Sequence, residues 1–112
     1  MASSLPNYLR SNRKRFALDQ DEVAFLLGVK SSDIPSRHER FVRGPSLPAA
    51  LAYEVIYQKP LRELFAGLYS AIEKDVADRA NILLENTAEG NNDKRQLLAR
   101  IAELGAPNLQ VQ

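Results

Sequence analysis

Apolar residues recur along this chain at three- and four-residue intervals nearly throughout, and nowhere alternate with polar ones long enough to suggest a strand. The spacing predicts a helical protein. Leu5, Leu9 and Phe16 fall along one side of a first helix, with Ser4 as its cap, Pro6 tolerated in its opening turn, and an end near Ala17. Asp19 is a good N-cap for a short second helix over "QDEVAFLL", whose Asp21 and Glu22 sit at the positive end of the helix dipole. Gly28 follows as the C-terminal glycine, expected in the left-handed conformation.

A third helix is expected within 32–41, then the loop "VRGPSLP". The run "PAALAYEVIYQ" reads as a fourth helix with Leu51, Val55 and Ile56 facing inward. Pro60 opens one long helix carrying Leu61, Phe65, Leu68, Ile72, Val76 and Leu83 at helical spacing. After the break at "AEGNND", Asn92 caps a last helix holding Leu97, Leu98, Ile101 and Leu104, stopped by Gly105 and Pro107.

Two short helices joined by a glycine turn can cross steeply only where the residues at the crossing are small. Ala24 stands four residues before Gly28, where the second helix presses on the third, with Val23 and Leu27 as apolar contacts and Val29 plugging the turn. Gln20 opens the second helix with an amide placed to help hold a phosphate. The pattern is a helix-turn-helix, a unit that occurs both in DNA-binding proteins and in all-α proteins at large.

Charge adds a little. The net charge is +1, but residues 1–45 hold eight Lys/Arg against five Asp/Glu, and the remainder seven against nine. A basic front half suits a nucleic-acid face at one end, although ordinary scatter of surface charge gives the same imbalance. The 112 residues suffice for one domain, or one small domain with an appendage. The absence of cysteine excludes disulfides and thiol chemistry and suits a cytoplasmic protein. No apolar run approaches the roughly 20 residues that span a bilayer, and no signal-peptide pattern opens the chain.

"LRSNRKRFALDQDEVAFLLGV", followed by "SRHER", "PSL" and "ALAYEVIYQKPLRELF", resembles the helix-turn-helix family of phage repressors and Cro-like regulators, the XRE family, over residues 7–68. The resemblance implies an all-α, five-helix repressor-like domain over 1–68. It also implies sequence-specific binding of double-stranded DNA, with the third helix in the major groove of an operator bound by a homodimer. Arg13 and Glu39 match positions that in the family form a buried ion pair. Ser31, Ser32, Asp33, Ser36 and Arg37 match the base-reading positions, Arg37 being the strongest reader because its planar fork pairs with guanine. Gln20, Arg40 and Arg43 would contact the DNA backbone.

Two residues depart from the family pattern. Pro35 stands where an inward aliphatic is usual, and its ring is tolerated only if Ser32 or Asp33 caps the helix. Phe41 stands where the family has glycine, so the helix either runs on past it or Phe41 folds back into the core. With Asp33, these departures define a rival reading: a degenerate helix-turn-helix that docks a protein partner, or an antitoxin-like regulator that binds both partner and DNA. An apolar patch at Ile34 and Phe41 would favour that rival, and a basic, polar ridge would favour DNA.

Enzymatic chemistry has little to stand on. His38 is the lone histidine, matching a position that in the family packs under the third helix, and no second histidine or cysteine completes a transition-metal site. The glycines form no phosphate loop, so neither a catalytic site, a metal nor a cofactor is expected. Residues 69–112 read as a helical extension. It either folds on itself as an antiparallel pair or, the favoured expectation, supplies a dimer seam.

Overall fold

In the computed structural model, residues 7–88, 90 and 92–105 are described, and among them the chain is helical with no strand. Seven helices follow one another: α1 (Leu9–Arg15), α2 (Gln20–Leu27), α3 (Asp33–Glu39), α4 (Leu47–Tyr57), α5 (Leu61–Leu64), α6 (Ala66–Glu85) and α7 (Asn92–Leu104). The chain divides into two compact units, 1–68 and 69–112, with α6 running through the boundary.

Local chemistry explains the ends of α1 to α4. Asn7 opens α1: its Oδ1 accepts from the Leu9 amide at 3.0 Å, while its Nδ2 donates to the His38 carbonyl at 2.9 Å. Ser4 and Pro6, expected to start this helix, lie outside the described residues. The helix stops at Arg15, two residues short of the expected end, because Ala17 turns left-handed at φ 57° and the Leu18 amide reaches back to the Arg13 carbonyl. Phe16 is consequently half exposed rather than part of an inner stripe.

Asp19 caps α2 in a reciprocal box with Glu22, each side chain accepting from the other's backbone N–H. Gly28 closes the helix at φ 80°, a conformation that costs a side-chain-bearing residue about 1–2 kcal/mol.

Ser32 is the cap residue of α3, so Pro35 is its third residue. There the missing N–H would have no intrahelical acceptor, and no helix hydrogen bond is lost. The side-chain cap comes one residue earlier, from Ser31 Oγ, which accepts from the Asp33 amide at 3.0 Å. The Pro35 ring is fully buried and Ile34 partly so.

Neither expectation for Phe41 holds. It sits just past the end of α3 at φ 53°, with the Val42 amide bonded to the Arg37 carbonyl at 3.0 Å. This is the left-handed helix stop at which glycine is ordinarily found. A phenylalanine there strains the backbone while its ring stays 36% exposed.

Ser46 caps α4, its Oγ accepting from the Ala49 amide, but the inner face of α4 differs from the expected one. Tyr53 and Tyr57 are buried and Ile56 partly so, whereas Leu51 and Val55 are 49% and 69% exposed. Positions 53, 56 and 57 share one face, and the tyrosine rings offer more apolar area to the core than Leu51 and Val55 do.

The expected long helix from Pro60 is broken at Phe65, where φ −124° and ψ 46° leave the helical region, so α5 and α6 are separate. The break turns Leu64 and Phe65 into a core of Leu9, Val23, Tyr53 and Tyr57, flanked by Leu18, Leu27, Ile56 and Leu61. The Tyr8 amide ties α1 to this break by donating to the Leu64 carbonyl at 2.8 Å.

In the second unit, α6 and α7 form an antiparallel hairpin. Arg95 donates to the Thr87 carbonyl near the turn. At the far end Gly105 comes so close that a Cβ added to it would lie 2.6 Å from that of Ala77. Ala77, Ala80 and Leu98 are buried, while Ile72, Val76, Leu83, Leu97 and Leu104 stay about half exposed. Asn92 is the first residue of α7 instead of its cap, and Pro107 lies outside the described residues.

Candidate nucleic-acid interface

The end of α3 is held from below by a buried polar assembly. Glu39, its last residue, accepts from Arg13 Nε of α1 at 2.6 Å, from Arg13 Nη2 at 3.2 Å and from Gln20 Nε2, at the start of α2, at 3.2 Å. Arg13 Nη1 donates in turn to the Leu18 carbonyl at 3.2 Å. One carboxylate therefore joins three helices. Both side chains are nearly out of water, so the fork-to-carboxylate geometry matters far more than it would at the surface. The same hydrogen bond raises the Arg13 pKa further.

The Gln20 amide, placed by the sequence to help hold a phosphate, is partly engaged within the protein. One of its hydrogens is given to Glu39, leaving the other for an outside acceptor.

His38, the neighbour of Glu39, is buried against α4. Its Nδ1 lies 2.8 Å from Tyr53 Oη, and the two rings meet edge to face. Burial pushes its pKa below the ordinary imidazole value of 6.5. The neutral ring is thus the form the fold accepts. Its contribution to stability is complete above pH about 6.5, the unfolded value, and is lost as pH falls toward the lower folded value. Urea midpoints for this unit are expected to drop between pH 7 and pH 5.5, with a slope of up to about 1.4 kcal/mol per pH unit per proton. In His38→Leu that slope should flatten, and an unchanged slope would assign the pH dependence to other groups.

Above this base lies an open cleft between α1, the start of α2 and one side of α3 along its length. Gln20, Ser32, Ser36 and Arg40 line it, with Arg13 and Glu39 at its floor. Arg10 and Lys14 complete its wall. The i,i+4 spacing of these two cations on α1 places them on one face, but nothing in the sequence marks that face as part of a site.

The cleft's lining holds four cations (Arg10, Arg13, Lys14, Arg40) against three carboxylates (Asp19, Asp21, Glu39). Arg13 and Glu39 cancel each other, leaving three cations (Arg10, Lys14, Arg40) against two carboxylates (Asp19, Asp21), so the outward-facing balance is positive. The remaining named residues do not line the cleft. Ser31, Asp33, Arg37 and Arg43 stand exposed on and around α3.

Among the described residues no cluster of His, Cys, Asp or Glu could hold a metal, and no helix is long and apolar enough to cross a membrane. No protein-family model, curated protein or solved structure matches the chain.

Proposed function

We propose that this chain is a sequence-specific double-stranded DNA-binding protein of the repressor and Cro-like helix-turn-helix class. In this reading it acts in two copies as a transcription regulator and carries no enzymatic activity. The observation that carries the reading is the segment 31–43 around α3, where Arg37 and Arg43 stand exposed with Ser31 while Arg40 lines the cleft with Ser32 and Ser36, on a helix fixed from below by Glu39. The succession α1–α5 within residues 1–68 supports the five-helix arrangement that the sequence resemblance implies.

Each part of this surface has a task. Arg37 presents a planar donor fork to guanine O6 and N7, while Ser32 and Ser36 donate or accept at neighbouring base edges. Asp33 accepts from cytosine N4. Arg40 and Arg43, the free Gln20 hydrogen and the cations Arg10 and Lys14 hold the phosphate backbone and fix the register. Two copies place their third helices one helical turn apart, roughly 34–36 Å.

The protein-docking reading of residues 31–43 draws on Val42, 65% exposed beside Phe41. With Pro35 buried and Ile34 partly so, that apolar surface stays confined to the end of α3 and does not extend along it.

Selection of bound duplexes from a randomised pool tests the proposal. A palindromic site is expected, and Arg37→Ala should relax one base position in each half-site at a cost of about 1–3 kcal/mol. Weak binding that vanishes with salt and enriches no sequence would sink it.

A further inference from the structure

The second unit carries an apolar face that its own hairpin leaves uncovered. On α6 the buried residues are Ala77 and Ala80, Ala77 lying against Gly105 just past the end of α7, and on α7 the buried residue is Leu98. At about 100° per residue, Tyr69, Ile72, Val76 and Leu83 form a second stripe on α6, offset from the first by roughly 90°. Leu97, Ile101 and Leu104 form a second stripe on α7 with an offset of about 100° in the same rotational sense. Because the helices are antiparallel, equal offsets bring both stripes to the same side of the hairpin. A helix with two apolar stripes about a right angle apart is what each corner of a four-helix bundle requires.

We infer that a second copy of this chain covers this face, the two hairpins closing into an antiparallel four-helix bundle with α6 of each copy lying over α7 of the other. Three observations select that occupant. Among the described residues the hairpin fully buries only Ala77, Ala80 and Leu98 of its apolar side chains, with Leu84 and Ile101 partly buried, too little to be a stable core on its own. The uncovered stripes expose Tyr69, Ile72, Val76, Leu83, Leu97 and Leu104 by 41–59% each. They offer on the order of 500 Å² of apolar surface per copy, so a pair buries roughly 1,000 Å², the threshold for a specific interface.

The third observation is charge. From Tyr69 to Glu85, α6 has Glu73, Asp75, Asp78 and Glu85 against Lys74 and Arg79, a net −2. Helix α7 has Lys94, Arg95 and Arg100 against Asp93 and Glu103, a net +1. A two-fold axis parallel to the helices sets acidic α6 over basic α7 of the second copy. The alternative axis, across the helices, would set acid on acid.

The inference names the partner in the two-copy reading above, and its test needs no DNA. Sedimentation of the full chain between about 1 and 100 µM is expected to show a dimer. Val76→Glu and Leu104→Lys should each raise the dimer dissociation constant at least ~100-fold by placing an unpaired charge in the seam, with helical circular dichroism retained. Ile72→Ser serves as a milder variant should either lose helix. Residues 76 and 104 come to similar heights when α6 lies over α7 of the second copy, so mixing the two charged variants is expected to restore association. A monomeric wild type, or dimers that persist in the single variants, would overturn the second copy as occupant. Monomeric variants that do not associate on mixing would overturn the α6-over-α7 arrangement. Arg37→Ala should remain dimeric, which separates this result from any failure of base reading.

Discussion

Truncating Glu39 to alanine is expected to destabilise the 1–68 unit by about 3–5 kcal/mol. The carboxylate is the single acceptor for Arg13 Nε, Arg13 Nη2 and the Gln20 amide, and its side chain is 4% exposed. Its removal leaves a guanidinium largely out of water with only the Leu18 carbonyl to bond, and an isolated buried charge is costlier than a missing pair. Arg13→Met in the same background should therefore recover much of the loss, because it removes the stranded charge while keeping an apolar stem beneath α3. Urea unfolding of the two single variants and the double variant measures the coupling as a cycle. A loss below about 1 kcal/mol in Glu39→Ala would place this pair with surface ion pairs and remove it as the anchor of α3.

The same residues show what the sequence could reveal. Asp19 and Gly28 are legible because each acts within its own turn: a carboxylate bonds a backbone N–H three residues on, and a glycine takes positive φ. Pro35 is legible for the same reason, since its ring permits only an early helical position. The buried face of α4 is not. Leu47, Leu51 and Val55 recur every four residues and form an apolar stripe as regular as Tyr53, Ile56 and Tyr57. The choice between the two depends on His38, 15 residues away in sequence, which gives Tyr53 a hydrogen-bond partner inside the core.

Phe65 carries no breaker of the glycine or proline kind. Its departure from helix follows from packing, with its ring and Leu64 entering the core. Asn7 is not legible as the cap of α1, because Ser4 offers an equally good cap by type and only the position of the His38 carbonyl distinguishes Asn7. For the candidate interface, residue types on one helix were legible in α3. The cleft wall from α1 was not, because Arg10 and Lys14 meet Ser36 and Arg40 only through tertiary packing.

That dependence of α3 on its support has a second consequence, in the tyrosines of α4. Tyr53 and Tyr57 stack with ring planes 6° apart, and both are fully buried. Burial pushes the Tyr57 phenol up to about 12 and Tyr53 higher still, so both stay protonated. Their hydroxyls differ in one respect. Tyr53 Oη bonds His38 Nδ1, whereas Tyr57 Oη is buried with no hydrogen-bond partner among the protein atoms.

The same substitution should therefore act with opposite signs. Tyr53→Phe removes one partner and leaves the His38 nitrogen unsatisfied, at a cost of about 1–3 kcal/mol. Tyr57→Phe removes a hydroxyl that bonds nothing and keeps the ring stack, so it should be neutral or stabilising by up to about 1–2 kcal/mol. Thermal and urea unfolding of the two variants should separate them by roughly 1–5 kcal/mol. Destabilisation by Tyr57→Phe would show that the hydroxyl bonds an ordered water in the core. Because His38 is part of α3, Tyr53→Phe should also weaken the DNA binding proposed above. Tyr57→Phe should leave that binding unchanged, and equal binding by both variants would disconnect the His38–Tyr53 contact from the role proposed for α3.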